Sequence, residues 1–135
     1  MEIYSWNVNG IRSVAKKGFE SWFNSTKPEI LCLQEVRAEK DQLPEFLHDI
    51  EGYYSFWNPC QKKKGYSGVG ILSQIEPDEV NYGMGIDEFD EEGRIVQLVF
   101  PDWVLNSVYF PNGGQGEERL DYKLRFYDAF LENSL

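Results

Sequence analysis

The chain has 135 residues, a length typical of one domain, and 41% of them are hydrophobic, which is enough to form a buried core. Its formal net charge of -10 argues against nonspecific binding of polyanions through the overall field. The two cysteines, Cys32 and Cys60, lack the number and spacing of a disulfide framework or a zinc site, which favours a reducing compartment. With no secretory segment and no apolar run near the roughly 20 residues that span a membrane, we expect a cytoplasmic protein without a membrane partner.

The first half of the chain predicts two strands and two short helices. Residues 1–7 read as a strand, and the aromatic residues between 19 and 23 share one face of a helix that ends before Pro28. Residues 29–36 form a continuous apolar run, which is typical of a strand covered on both faces. A short helix is expected over residues 43–50.

The second half predicts further strands and a final helix. The predicted strands, bounded by Gly, Pro and Asp, cover residues 53–57, 69–73, 95–100 and 103–109. The acidic run of residues 87–93 is interpreted as a solvated loop, and the glycine-rich residues 111–116 as another loop. The final helix is predicted from apolar residues at helical spacing, namely Leu120, Leu124, Tyr127 and Leu131.

Alternating strands and helices without a linker or repeat predict one α/β domain with a mixed sheet. Such a sheet needs a covering layer on each face. Either helices cover both faces, or a second copy of the chain provides the cover, or the sequence is part of a longer protein.

Two polar residues follow apolar strands and should emerge at the rim of the sheet. Asn7 ends the first predicted strand, and Glu35 follows the apolar run ILCLQ. A carboxylate at a rim can bind Mg²⁺, which prefers oxygen ligands and is often held by one or two protein carboxylates together with a phosphate. Taken singly, each residue could equally serve a turn or a cap.

A local concentration of positive charge precedes a flexible turn. Lysines 62–64 stand directly before Gly65, Tyr66, Ser67 and Gly68 in an acidic chain. The run could be a solvated turn, or it could bind a polyanion locally.

Five segments in order resemble the exonuclease III family of abasic-site endonucleases, within the endonuclease/exonuclease/phosphatase superfamily. The segments are SWNVNGIR, LCLQEVR, GYSGVGILS, EEGRIV and SVYFPNGGQGEERLDYKLRFYDAF, which together span nearly the whole chain. The resemblance implies that residues 1–135 are the N-terminal part of the domain. The C-terminal half, which carries a GDxN segment and an Asp-His pair in that family, is absent.

The fold implied by the resemblance is α/β (α+β), half of a four-layer α/β sandwich of the DNase I-like type. Its sheets would be mixed but mostly antiparallel, with flanking helices. Removing half of such a sandwich is expected to leave a sheet face uncovered, so we predict self-association through that face.

The resemblance also implies site residues. Glu35 matches the metal-binding glutamate. Three residues match catalytic positions, namely Asn7, Tyr109 and Asn112. Those that match DNA-contacting positions are Arg12, Lys16, Lys17, Gly65, Tyr66, Ser67 and Gln115. Asn9, Gln115 and Arg37 stand where some members have Asp, Arg and Lys, respectively.

The implied function is that of a DNA repair nuclease dependent on Mg²⁺, or on Mn²⁺, which hydrolyses phosphodiesters 5′ to abasic sites and processes 3′ ends. The partner would be double-stranded DNA, and the location cytoplasmic and nucleoid-associated. The chain alone is expected to be inactive. Two alternatives remain: a non-catalytic DNA-binding or assembly module, and a superfamily phosphatase acting on lipid or inositol phosphates.

Overall fold

Seven β-strands form two sheets in the computed structural model, which describes residues 1–114 and 116–134. In chain order the strands are β1 Ile3–Asn7, β2 Ile30–Gln34, β3 Tyr54–Asn58, β4 Val69–Ser73, β5 Glu79–Asn81, β6 Ile95–Val99 and β7 Val104–Val108. The first sheet has the order β1-β2-β4-β3 and the second the order β5-β6-β7. Only β1 and β2 pair in parallel among the described strands, which confirms the mixed, mostly antiparallel arrangement.

Four helices flank the sheets in the described residues: α1 Ile11–Ala15, α2 Phe19–Thr26, α3 Asp87–Asp90 and α4 Glu117–Ser134. The helix predicted over residues 43–50 is wrong, since the chain forms one short 3-10 turn there, Glu45–Leu47, and another just before it, Lys40–Gln42. Leu43 and Pro44 both have extended backbones between the turns, because proline lacks an N–H group and disfavours helical geometry in the residue before it. No helix in the described part of the chain is long and apolar enough to cross a bilayer.

The two sheets pack face to face and create the central core. Inner-face side chains of the first sheet meet those of the second, and the buried members are Ile30, Cys32, Val69, Ile71, Val96, Leu98 and Phe100. Helix α2 covers the outer face of the first sheet through Phe19 and Phe23. Helix α4 packs outside the second sheet, with Phe126 in one cluster with Ile95. The chain therefore has four layers, helix, sheet, sheet and helix, as expected for this sandwich.

The predicted uncovered sheet face is wrong for the described residues. Every residue of β2 and β4 is buried, because the chain itself builds the second sheet over the first. The exposed large apolar side chains of the strands lie on edge strands, namely Ile3 of β1, Tyr54 of β3 and Val104 of β7, which are 44%, 43% and 51% exposed. Self-association stays a prediction, but it can no longer be argued from a broad uncovered sheet face among the described residues.

The predicted solvated loop at residues 87–93 is also wrong, because this segment begins with α3. Phe89 is 4% exposed and packs against Phe126 of α4. The Asp90 carboxylate accepts hydrogen bonds from three backbone N–H groups of residues 84–86, at 2.9–3.0 Å. The segment is therefore part of the packed fold, because Phe89 is buried and the Asp90 carboxylate binds backbone N–H groups.

Helix α4 forms where it was predicted, but of the four residues that indicated it only Tyr127 packs against the core, and the three leucines lie on the outer face. Leu120, Leu124 and Leu131 are 46%, 53% and 62% exposed, respectively. Tyr122 and Phe126, at 5% and 0%, make the buried face. Helical spacing cannot decide between two apolar stripes on one helix, and here the larger aromatic side chains fill the core.

Candidate active site

Asn7 and Glu35 meet where the parallel strands β1 and β2 end. Asn7 is paired in register with Gln34, so Glu35 follows at the same edge of the sheet. The Asn7 Nδ2 amide donates to Glu35 Oε1 at 3.4 Å. The carboxyl ends of neighbouring parallel strands share one sheet edge, which explains how two residues 28 positions apart come into contact.

The loop after β1 fixes the orientation of the Asn7 amide. The Asn9 backbone N–H donates to Asn7 Oδ1 at 3.0 Å, which leaves Nδ2 directed to Glu35. The Gly10 backbone N–H donates to the Glu35 carbonyl at 2.8 Å. The start of α1 is therefore tied to the backbone that carries the carboxylate.

Glu35 is largely shielded and pairs with a more exposed arginine. Its Oε2 lies 2.6 Å from Arg37 Nη2, and the two side chains are 12% and 48% exposed, respectively. The Arg37 carbonyl accepts from Arg12 Nη2 at 3.0 Å, which places Arg12 beside the same loop. Arg37 therefore balances the charge of the Glu35 carboxylate, while the guanidinium of Arg37 stays accessible to an anion.

Tyr109, the residue after β7, joins Asn7 and Glu35 from the second sheet. Burial raises the pKa of the Tyr109 hydroxyl, and so do the charge of Glu35 and a hydrogen bond to it. The Arg94 guanidinium lies 5.2 Å from the Tyr109 ring centroid. The structure therefore brings together an amide, a carboxylate and a phenol at the C-terminal ends of β1, β2 and β7, respectively.

Asn112 lies apart from this group in the described contacts. It is exposed, and its Oδ1 accepts from the Gly114 backbone N–H at 2.9 Å. Because that oxygen is engaged in the turn, the amide N–H groups are what Asn112 offers to a ligand. Gln115, a predicted DNA-contacting residue, lies outside the described residues.

The predicted basic residues of the first helix are accessible. Arg12, Lys16 and Lys17 are all exposed along α1 and its C-terminal end. Arg12 also bonds the Arg37 carbonyl, so at least its charge lies beside the loop that carries Glu35.

The loop of residues 65–67 has one exposed, one half-buried and one buried residue. Gly65 is exposed, Tyr66 is half-buried, and Ser67 is 1% exposed with its hydroxyl donating to the Gly93 carbonyl at 3.2 Å. Lys63 Nζ lies 5.5 Å from the Tyr66 ring centroid. The loop therefore presents an aromatic ring and a lysine, while the Ser67 side chain serves the fold.

Three charged residues that sequence reasoning missed form a cluster behind this loop: Glu92, Arg94 and Arg119, which we call the charged cluster. Arg94 is 1% and Glu92 5% exposed. Burial would raise the pKa of the Glu92 carboxyl, but hydrogen bonds and charges from Arg119 and Arg94 lower it below its ordinary value. An arginine directly before the apolar strand β6 was the available signal, since buried charges are normally paired.

The donor set fits a hard divalent cation only as a partial site. In the part of the chain that the structure describes, no group of three or more His, Cys, Asp or Glu residues could hold a metal ion. Glu35 supplies one carboxylate, and Asn7 lies in contact with it. This fits an ion such as Mg²⁺, which keeps several waters and takes further oxygens from a phosphate substrate.

Residues 4–135 match the Endonuclease/Exonuclease/phosphatase family. The chain belongs to this family. It is 40% identical over 134 residues to an exodeoxyribonuclease of Bacillus subtilis, covering 97% of this chain and 51% of that protein. It is 42% identical over 124 residues to the DNA repair nuclease APEX1 of Danio rerio, covering 91% of this chain and 40% of that protein. The chain thus spans about half the length of these family members.

Solved structures of family members share the fold. An AP endonuclease from Archaeoglobus fulgidus superimposes with a TM-score of 0.80 at 30% identity, covering 97% of this chain and 49% of that one. A 3′-5′ exonuclease from Neisseria meningitidis gives a TM-score of 0.82 at 27% identity, covering 99% and 51%. These neighbours are of the DNase I-like type, so the fold class predicted from sequence is confirmed.

Proposed function

We propose that this chain is the N-terminal part of a DNA repair nuclease that hydrolyses phosphodiesters 5′ to abasic sites and processes 3′ ends. The observation that carries the proposal is the convergence of Asn7, Glu35 and Tyr109 at one edge of the sandwich. The names of the similar proteins support the reaction class, and a related structure is described as bound to a product DNA hairpin. Coverage of about half of each family member supports a site completed by further residues.

Each residue has a distinct proposed role. Glu35 is the protein carboxylate for a divalent cation, Mg²⁺ or Mn²⁺, and Asn7 orients it through the Nδ2 contact. When bound, such a cation stabilises negative charge on a phosphoryl oxygen. Tyr109 and Asn112 donate hydrogen bonds to the oxygens of the scissile phosphate.

The proposed DNA surface is local and basic. Arg12, Lys16 and Lys17 are exposed and would neutralise backbone phosphates, while Gly65 and Tyr66 approach the duplex. Ser67 would contribute its backbone, and Gln115 is proposed from its motif position. Selectivity for an abasic site would follow from shape, because a nucleotide without a base is easily extruded from the stack.

The proposal is tested by an incision assay on a duplex with one abasic site in the presence of Mg²⁺. The chain is assayed alone and mixed with the C-terminal part of the Bacillus subtilis exodeoxyribonuclease. We expect incision only in the mixture, and its loss by about a hundredfold or more in Glu35→Gln. The matched control is Glu20→Gln, an exposed carboxylate on α2, which should leave the rate unchanged.

Robust incision by the chain alone would contradict the idea of an incomplete site. Absence of incision in the mixture would favour a second candidate, a non-catalytic DNA-binding module. That candidate draws on the lack of a three-residue metal cluster among the described residues. It predicts binding to a labelled duplex that needs no Mg²⁺ and weakens as salt rises.

A further inference from the structure

The charged cluster contacts the Tyr66 hydroxyl from two sides. Arg94 Nη2 and Arg119 Nη2 donate to this oxygen at 3.0 and 3.1 Å. The same two nitrogens donate to Glu92 Oε1 at 2.7 and 3.1 Å. One carboxylate therefore holds two guanidinium groups at the spacing that both need to reach Tyr66.

The cluster links segments that are distant in the sequence. Arg94 directly precedes β6, and its Nη1 donates to the Tyr109 carbonyl at 3.1 Å. Arg119 lies in the first turn of α4, shortly after the loop that carries Asn112. Tyr66 lies in the connection between β3 and β4. Three pieces of the candidate site thus share one set of charged contacts.

Stability alone is a weak reason for such a cluster. Glu92 and Arg94 are 5% and 1% exposed, and removing charges from water costs about as much as their mutual attraction returns. Well-packed apolar side chains in the same place would often stabilise a fold equally well. Apolar side chains would not, however, form directional hydrogen bonds. The two guanidinium groups do, and they thereby fix the hydrogen bonding of the Tyr66 hydroxyl.

The hydrogen-bonding state of Tyr66 follows from this geometry. A tyrosine hydroxyl accepts hydrogen bonds at its oxygen and donates one through its O–H. Two arginine N–H groups already donate to the Tyr66 oxygen, so what the hydroxyl has left to offer a ligand is its hydrogen. A group limited to donating is suited to an anionic oxygen such as that of a DNA phosphate.

We infer that Glu92, Arg94 and Arg119 are positioning residues that hold Tyr66 as a hydrogen-bond donor for a DNA phosphate oxygen. The inference rests on the proposed function, in which Tyr66 contacts DNA. It assigns the charged cluster a role in substrate binding that passes through Tyr66 and involves no direct contact between Arg119 and DNA.

A double-mutant cycle on the 135-residue chain tests this role. The affinity for a duplex with a tetrahydrofuran abasic analogue is measured for the unmodified chain, Tyr66→Phe, Arg119→Gln and the double variant. Each single variant should weaken binding about fivefold to tenfold, and the double variant no further, because residues in one network are not additive. The salt dependence should be unchanged in Arg119→Gln.

Direct phosphate binding by Arg119 gives a different result that overturns the inference. Arg119→Gln would then weaken binding equally in the presence and absence of the Tyr66 hydroxyl, and the slope of log affinity against log salt would fall by about one. Arg125→Gln is the matched control, since Arg125 also lies on α4 and forms ion pairs, with Glu88 and Asp121. It should leave both the affinity and the slope unchanged.

Trypsin cleavage provides a readout that needs no DNA. The exposed lysines 62–64 precede Tyr66, so loss of the contacts to its hydroxyl should loosen this loop. Cleavage after these lysines, followed by mass spectrometry, should be about threefold or more faster in Arg119→Gln than in Arg125→Gln, with circular dichroism confirming that both are folded. An unchanged cleavage rate overturns the inference. If the chain alone binds no DNA, the proposed DNA surface is contradicted for the chain alone. The trypsin measurement still decides whether the charged cluster holds Tyr66.

Discussion

Asn9, Glu35, Arg37 and Ser67 adopt positive φ angles of 47°, 54°, 55° and 54°, although none is glycine. All four lie in the loops that form the candidate site. A left-handed backbone costs a non-glycine residue about 1 kcal/mol or more and persists when surrounding contacts determine it. Hydrogen bonds to the Glu35 carbonyl and the Arg37 carbonyl supply such contacts here. The site loops are therefore held in place by the fold before any ligand binds.

The buried thiol of Cys32 gives a pH dependence that belongs to the residue scale. Burial raises the pKa of Cys32 from its ordinary value of 9.0 to about 11. The folded state thus favours the protonated thiol, so this contribution to stability is complete below pH 9 and is lost as pH rises towards 11. Burial also raises the pKa values of Tyr109 and Tyr122, which adds to the same loss.

Urea unfolding between pH 8 and 11 measures this effect. We expect the free energy of unfolding to fall with pH, and Cys32→Ala to have a shallower fall although it is less stable throughout. A pH profile of Cys32→Ala as steep as that of the unmodified chain would refute the assignment to this thiol.

At the scale of elements, α4 has two apolar faces with different roles. Phe126 on the inner face is 0% exposed and has ring contacts with Phe89, Phe110 and Phe130. Leu124 on the outer face is 53% exposed. The inner face therefore anchors the helix to the second sheet and carries Arg119 to its position beside Tyr66.

Alanine substitutions distinguish the two faces. Phe126→Ala should lower the free energy of unfolding by about 3–5 kcal/mol, through lost burial and the cavity that remains. Leu124→Ala is the matched control and should cost less than about 1 kcal/mol, because little of its side chain leaves water on folding. Chemical denaturation of both variants checks this, and equal losses would contradict the packing described.

Most elements were predictable because their signals are local. The strands near residues 30, 70, 95 and 104 were found from apolar runs between turn residues, and α4 from its period. Strand β5, Glu79–Asn81, was missed because three residues are too few to show alternation. Helix α3 was missed because its acidic composition hides the single buried Phe89.

On the scale of the whole molecule, the β1 edge of the first sheet and the β7 edge of the second sheet lie on the same side of the sandwich. β1 is a free edge of the first sheet and β7 of the second, and β7 lies over β2 and β4. The inner-facing Ile3 of β1 is consequently 44% exposed, since no described strand lies over it. Edge strands present unpaired backbone groups that pair readily with further strands.

We expect the chain to self-associate at micromolar concentration, now through exposed apolar groups at the β1 edge and the outer face of α4. The net charge of -10 opposes association, so added salt should strengthen it by screening. Sedimentation equilibrium of the unmodified chain, Leu124→Glu and Ile3→Glu would show which surface contributes. A monomer for the unmodified chain at every salt concentration would contradict the prediction.

The sequence by itself determined the family and most of the local structure, and it predicted Asn7, Glu35 and Tyr109 as site residues, because strand periods and family motifs lie in short segments. Only the tertiary structure decided which face of α4 is buried, that the chain covers its own sheets, and that Glu92 and two arginines hold Tyr66. Those features depend on pairs such as Arg94 with Tyr66, 28 positions apart, and Gln34 with Ser107, 73 apart. Contacts between distant positions leave no periodic signal, since the partners are chosen by how the sheets and helices pack.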